Sequence, residues 1–182
     1  MTDLNKFVRD AIRTESLIKT IDTNPVVLEG ILQTLIAAGN ALDMVKKNVF
    51  YGKEIDQQKL EQLSHTAELF ASQIRDTRNA RKQFSVDPRL FHALVGMTTE
   101  SIELLEALDA HFKGDELDTV NLLEEMGDIN WYEAIALDTL DADFETVLNK
   151  VIAKLKARFP DKFTSEDAIN RDLDTERKIL EQ

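Results

Sequence analysis

The stretch DPRLFHALVGMTTESIELLEALDAHFKGDELDTVNLLEEMGDINWYEAIALDTL, residues 87–140, decides the fold. Asp87-Pro88 joins an N-cap acid to a proline at the first helical position, where the missing N–H costs nothing and φ is already set. From there Leu90, Leu94, Met97, Leu104 and Leu108 recur at helical spacing, which predicts an amphipathic helix to Phe112. Lys113-Gly114-Asp115-Glu116 interrupts the pattern, and Asp118 can cap a second helix that runs to about Leu140 with Leu122, Met126, Ile129 and Ala136 along one side. Two amphipathic helices joined by so short a loop predict an antiparallel hairpin.

The preceding segment repeats this pattern. Asn24-Pro25 opens a helix through Leu28, Ile31, Leu35, Leu42 and Val45 to about Phe50, Tyr51-Gly52-Lys53 breaks it, and Asp56 caps a third helix reaching towards Phe84. The loops align at an offset of 62 residues and the prolines at 63, which suggests two pseudo-repeated hairpins, each burying the other's apolar face. An opening helix from Leu4 is expected to fade near Asp22. A sixth helix starts near Asp143 and stops at Pro160, and Thr164-Ser165-Glu166-Asp167 resembles a capping box for a last helix to the end of the chain. No strand is evident. The expectation is one all-α domain over residues 1–182: a hairpin without acids at the facing positions (24–86), an acid-bearing hairpin (87–140) and basic C-terminal helices (141–182).

Composition limits what such a bundle can do. With 34 acids against 22 Lys and Arg, the net charge of −12 repels phosphate backbones and argues against binding nucleic-acid polymers. The absence of cysteine removes disulfides, thiolate metal sites and a cysteine nucleophile. The longest uncharged run, Gly30 to Leu42, is shorter than a bilayer span, and the first ten residues lack the apolar core of a signal peptide, so no membrane association and a cytoplasmic location are expected.

Two acidic pairs stand on the hairpin of residues 87–140, Glu100-x-x-Glu103 and Glu125-x-x-Asp128. At i,i+3 the members of each pair share one helix face. Spacing alone is weak, since about six such pairs arise by chance at this acid content. Their surroundings add more. Ala93, Gly96, Glu100, Glu103 and Ala107 form one row beside the apolar stripe, and Asn121, Glu125, Asp128 and Tyr132 form the matching row on the next helix. Gly127 inside a helix suggests the close approach of another group. Folded as a hairpin, four carboxylates converge at a core boundary, and a divalent cation relieves their repulsion. All-oxygen ligation suits Mg²⁺ or Mn²⁺ rather than zinc. A di-iron centre needs Glu-x-x-His, and no acid stands three residues before His65, His92 or His111. In the first hairpin the counterparts of the four acids are Ala38, Ala41, Leu63 and Thr66 at one register, and Ala37, Asn40, Gln62 and His65 at the other. Lys150, Lys154 and Arg158 form an i,i+4,i+8 row on the sixth helix, which a solvated basic face near a helix C-terminus also explains.

These residues resemble the signature of the MazG-type all-α nucleoside triphosphate pyrophosphohydrolases, the superfamily that includes the dimeric dUTPases: Glu-x-x-Glu, then Glu-x-x-Asp on the next helix, here within Glu124-Glu125-Met-Gly-Asp128-Ile-Asn-Trp131-Tyr132. The run Lys154-Leu-Lys-Ala-Arg158-Phe-Pro160 … Asn170-Arg171-Asp172 … Glu176-Arg177 is similar to a phage and bacterial branch of that family, with Val151 where the branch has Asn. The resemblance covers residues 88 to 182. It implies hydrolysis of a (deoxy)nucleoside triphosphate, a purine such as dGTP among them, to the monophosphate and pyrophosphate. Mg²⁺ would sit on Glu100, Glu103, Glu125 and Asp128, in a homodimer or homotetramer in the cytoplasm, the host's if the protein is phage-encoded. Lys150, Lys154, Arg158 and Arg171 are then candidates for phosphate contacts. Trp131 is a candidate for stacking on the base, although aromatic residues at helical spacing ordinarily serve the core. The competing expectation is a non-catalytic helical module that binds nucleotide or a partner.

Overall fold

The computed structural model describes residues 3–73 and 82–182. The elements are α1 (Leu4–Ile12), β1 (Ile21–Thr23), α2 (Pro25–Tyr51), α3 (Gln57–Gln73), β2 (Lys82–Phe84), α4 (Pro88–Phe112), α5 (Thr119–Thr139), α6 (Phe144–Arg158), α7 (Ser165–Ile169) and α8 (Leu173–Glu181). The fold is all-α apart from the pairing of β1 with β2. Its contacts divide the chain into two compact units, Met1–Ile21 with Phe84–Asn149, and Asp22–Gln83 with Lys150–Gln182.

In the first unit α4 and α5 pack as the expected hairpin and α1 lies against α5. The Asp87 carboxylate accepts from the Arg89 and Leu90 N–H groups, and Asp118 does the same for Val120 and Asn121, so both helices begin at the caps expected of them. The core has two clusters. Ala11, Ala134, Leu137 and Phe144 form one, and Ala93, Ile135 and Ala136 the other, with Trp131 packed against both.

Helix α1 ends at Ile12 rather than near Asp22. The Thr14 hydroxyl donates to the Ala11 carbonyl at 2.8 Å, a side-chain bond that competes with helix continuation, and the same oxygen accepts from Trp131 Nε1 at 2.9 Å. Glu15, its side chain 1% exposed, turns inward to take Arg89 Nε at 2.8 Å, while Arg89 Nη2 also reaches Asp138 at 2.7 Å. Contacts distant in sequence thus tie down a segment whose periodicity would have continued as helix.

In the second unit α2 packs on α3 and contacts α7. Asn24 caps α2 by accepting from Val26 and Val27, and Gly52, at φ +68°, closes it in the left-handed conformation that glycine adopts without strain. The expected course of α3 beyond Gln73 falls on residues 74–81, outside the described residues; Lys82–Phe84 is strand rather than the end of that helix. Three-residue strands are too short to show an alternating pattern. The expected last helix is two: α7, capped by Thr164, and α8, capped by Asp172, whose carboxylate accepts from Thr175 N. An 18-residue window of α2 has a mean hydropathy of 1.4, so this helix meets the length and composition of a membrane span that the 13-residue uncharged run did not. Core helices of soluble proteins meet the same test. Ile31, Leu32, Ile36, Leu42 and Val45 of α2 are exposed.

Candidate metal centre

Both acidic pairs lie on the hairpin of the first unit, and helical spacing aims each pair from one helix towards the other. One carboxylate oxygen from each of Glu100, Glu125 and Asp128 lies within 4.8 Å of the others. Around an octahedral Mg²⁺ adjacent ligand oxygens are about 3 Å apart and opposite ones about 4.2 Å, so the three would have to draw together to share one ion. Glu103 stands outside the three-oxygen group, on the exposed side.

The electrostatics of the group are uncompensated. Glu125 is 6% exposed. Burial, a hydrogen bond with Glu100 and the charges of Glu100 and Asp128 all push its pKa up. The charge of Glu125 is the largest cause of a raised pKa at Glu103, followed by burial and Glu106. Among the described residues no Lys, Arg or His forms an ion pair with any of the four acids. A buried carboxylate facing two like charges is unfavourable unless protonated or met by a cation. The donors are hard oxygens, close enough for one ion to draw together, with the rim open to solvent. That set fits Mg²⁺ or Mn²⁺, which keep waters and take further ligands from phosphates.

The close approach expected at Gly127 occurs at Gly96 instead. A Cβ at Gly127 would meet nothing within 4 Å. At Gly96, one turn before Glu100, a Cβ would lie 2.2 Å from Tyr132 Cε1. The ring of Tyr132 therefore occupies a notch that only glycine leaves in α4. Burial, then the charges of Glu100 and Asp128, raise the pKa of its phenol, which places Tyr132 within the field of the carboxylate group. Helical periodicity marks Tyr132 as sharing the row of Glu125 and Asp128, but it does not reveal the facing notch.

His92, Trp131 and Tyr132 meet edge to face, with ring centroids 4.8–6.1 Å apart. Trp131, expected as a base-stacking candidate, packs between the two core clusters and spends its N–H on Thr14. It is half-buried, packed against both clusters.

The four basic candidates belong to the second unit. Lys150 Nζ donates to the Leu180 carbonyl at 3.1 Å. Arg158 and Arg171 converge on one carboxylate, that of Glu176: Arg158 Nε and Nη2 lie 2.8 and 2.7 Å from its two oxygens, and Arg171 Nη2 is at 2.5 Å. Glu176 is 5% exposed, and the hydrogen bonds from Arg171 and then Arg158 hold its pKa down at about 2. Lys154 makes no ion pair or hydrogen bond among the described residues. The structure thus brings Arg158 and Arg171 together through an acid that spacing alone did not select. No family model matches the chain, and no curated protein or solved structure matches it either.

Proposed function

We propose that the protein is a Mg²⁺-dependent nucleoside triphosphate pyrophosphohydrolase of the MazG type that its sequence resembles, cleaving a (deoxy)nucleoside triphosphate, such as dGTP, between the α and β phosphates. One observation carries this reading: three carboxylates on facing helices converge within 4.8 Å, one of them buried, with no ion-paired cationic side chain among the described residues to balance them. Mn²⁺ is an expected substitute for Mg²⁺.

Glu100, Glu125 and Asp128 would hold the ion, and Glu103 adds a fourth carboxylate at the exposed rim. A divalent cation bound there supplies neutralisation of phosphate charge and acidification of a coordinated water. The protein's own part is to fix the three oxygens. Glu125 is held by burial, and α4 and α5 set the separation of the two pairs. The notch at Gly96 seats the Tyr132 ring against α4 one turn before Glu100. A homo-oligomer is the proposed assembly, which sedimentation velocity tests directly.

A second reading, a non-catalytic nucleotide-binding module, is favoured by the gathering of Arg158 and Arg171 on Glu176 in the second unit rather than on the carboxylate hairpin. Pyrophosphate release across all eight canonical (d)NTPs, with Mg²⁺ and with Mn²⁺, separates the two. Turnover of at least one substrate is expected, and none on any would sink the enzymatic reading.

A further inference from the structure

The second unit holds a cavity of about 350 Å³ that the metal hairpin does not line. Five cations surround it: Lys46 and Lys47 near the end of α2, Lys53 just beyond, Arg158 at the end of α6, and Arg171 between α7 and α8. So dense a positive cluster is notable in a chain of net charge −12. Two carboxylates answer part of it. Asp43 lies 2.5 Å from both Lys46 and Lys47, whose hydrogen bonds hold its pKa down at about 2. Glu176 binds the two arginines. Lys53 forms no ion pair among the described residues, although Glu54 and Asp56 share an adjoining recess with it.

The pairing also arranges the donors. Both arginines present the Nε–Nη2 edge to Glu176, so each retains Nη1 for another acceptor. A buried carboxylate at 5% exposure thus holds two guanidinium groups in place before any ligand arrives. With both forks spent on Glu176, each Nη1 is a fixed, charged donor that one phosphate oxygen can accept from.

Tyr51, Phe159 and Phe163 give the rest of the wall an aromatic side, with Leu155, Ala168 and Ile169 completing it. Tyr51 and Phe163 lie with ring centroids 5.6 Å apart, Phe163 and Phe159 5.4 Å, and the Arg158 guanidinium sits 5.6 Å from the Phe159 ring centre. Phe163 is half exposed, a large apolar ring left beside concentrated charge. A cavity of this size falls at the small end of ligand pockets, and it combines anion donors with a stacking surface. Free phosphate would use the first and leave the second uncovered. A nucleotide uses both.

We propose that this cavity is a metal-independent nucleotide site, with the phosphate on Lys47, Lys53 and the Nη1 groups of Arg158 and Arg171, and the base against Phe163 and Tyr51. It goes beyond the proposed hydrolysis and stands without it, because the cations here do the work that a bound metal would do at the carboxylates.

The test is calorimetric titration of the full chain in EDTA with dGMP, deoxyguanosine and inorganic phosphate. A monophosphate is no substrate for a pyrophosphohydrolase, so the outcome is separate from that of turnover assays. Expected are one dGMP per chain, bound at least about 10-fold more tightly than either fragment and weakening as salt is raised. Lys53→Glu, a change at an exposed loop residue, should weaken dGMP at least about 10-fold with the circular dichroism spectrum retained. Phe163→Ala should weaken dGMP and leave phosphate unchanged. Glu125→Gln should leave dGMP binding intact. Absence of dGMP binding in EDTA overturns the proposal, as does binding indifferent to Lys53→Glu. Phosphate binding as tight as dGMP removes the base from the site, and loss of binding in Glu125→Gln places the ligand elsewhere; either overturns the proposal as stated.

Discussion

Gly52 closes α2 at φ +68° and Gly114 follows α4 at φ +109°, 62 residues apart; Asp56 and Asp118, again 62 apart, cap the helices that follow. The hairpins α2–α3 and α4–α5 share this punctuation and differ in what their facing positions carry. Where the second has Glu100, Glu103, Glu125 and Asp128, the first has Ala38, Ala41, Leu63 and Thr66 at the same offset. Caps and left-handed glycines make a helical hairpin whatever chemistry it carries. Charge at the facing positions then divides the two: one hairpin carries no acids there, and the other carries a like-charge conflict that a bound cation would resolve.

The largest break in that comparison is expected from Glu125→Gln. If Glu125 is a ligand, turnover should fall by more than the about 100-fold associated with partners one shell further out, with helical content retained. Unchanged activity would remove this centre. A second consequence concerns stability alone. The pKa of Glu125 is raised in the fold, so its charged form is disfavoured there; the penalty is present above that raised pKa and is relieved as pH falls through it. A bound metal would relieve it at neutral pH. At about 100 times its Kd, Mg²⁺ or Mn²⁺ adds roughly 2.7 kcal/mol, or about 5–10 °C in Tm for a chain of this length. Glu125→Gln should raise the Tm in EDTA and abolish the metal response. A wild-type Tm indifferent to millimolar Mn²⁺ would count against an ion at these carboxylates.

Gly96→Ala is expected to have the next largest effect. A Cβ 2.2 Å from a ring carbon of Tyr132 forces the phenol out of its notch, and overpacking of this kind costs about 1–3 kcal/mol, or roughly 2–12 °C in Tm. Tyr132→Ala combined with Gly96→Ala should cost less than the sum of the two single changes, because the clash is then gone. Additive losses would mean that the ring does not occupy the notch in solution.

Local chemistry was the legible part of this molecule. Asn24, Asp56, Asp87 and Asp118 accept from N–H groups two or three residues on, so each cap is written within a few letters of sequence. The convergence of Glu100 with Glu125 and Asp128 was legible for a related reason: i,i+3 spacing sets each face, and a short loop forces the faces together. Features that depend on distant partners were not. The end of α1 is settled by Thr14 meeting Trp131 and Glu15 meeting Arg89, 117 and 74 residues away. Periodicity drew attention to Gly127, yet the ring that needs glycine faces Gly96, because a helical wheel shows which face a residue shares and not what stands across from it. Likewise the row of Lys150, Lys154 and Arg158 reads as a basic face until Glu176 is seen beneath Arg158 and Arg171.

The smallest predicted effect has the opposite sign and lies in the other hairpin. Gly39 stands inside α2, exposed, with open space where a Cβ would go. Glycine in a helix interior costs up to about 1 kcal/mol relative to alanine, chiefly through the freedom it retains when unfolded. Gly39→Ala should therefore raise the Tm by about 2–4 °C, measured with and without Mn²⁺ and equal in both, because this hairpin carries no carboxylates at its facing positions. The contrast with Gly96→Ala isolates the cause: both replace a glycine in the middle of a long helix by the same methyl group, and only the neighbour across the helix differs. A fall in Tm for Gly39→Ala would mean that something packs on this face of α2 in solution, beside the exposed Ile36, Leu32 and Leu42, and sedimentation velocity on the same variant would show whether that neighbour is a second copy of the chain.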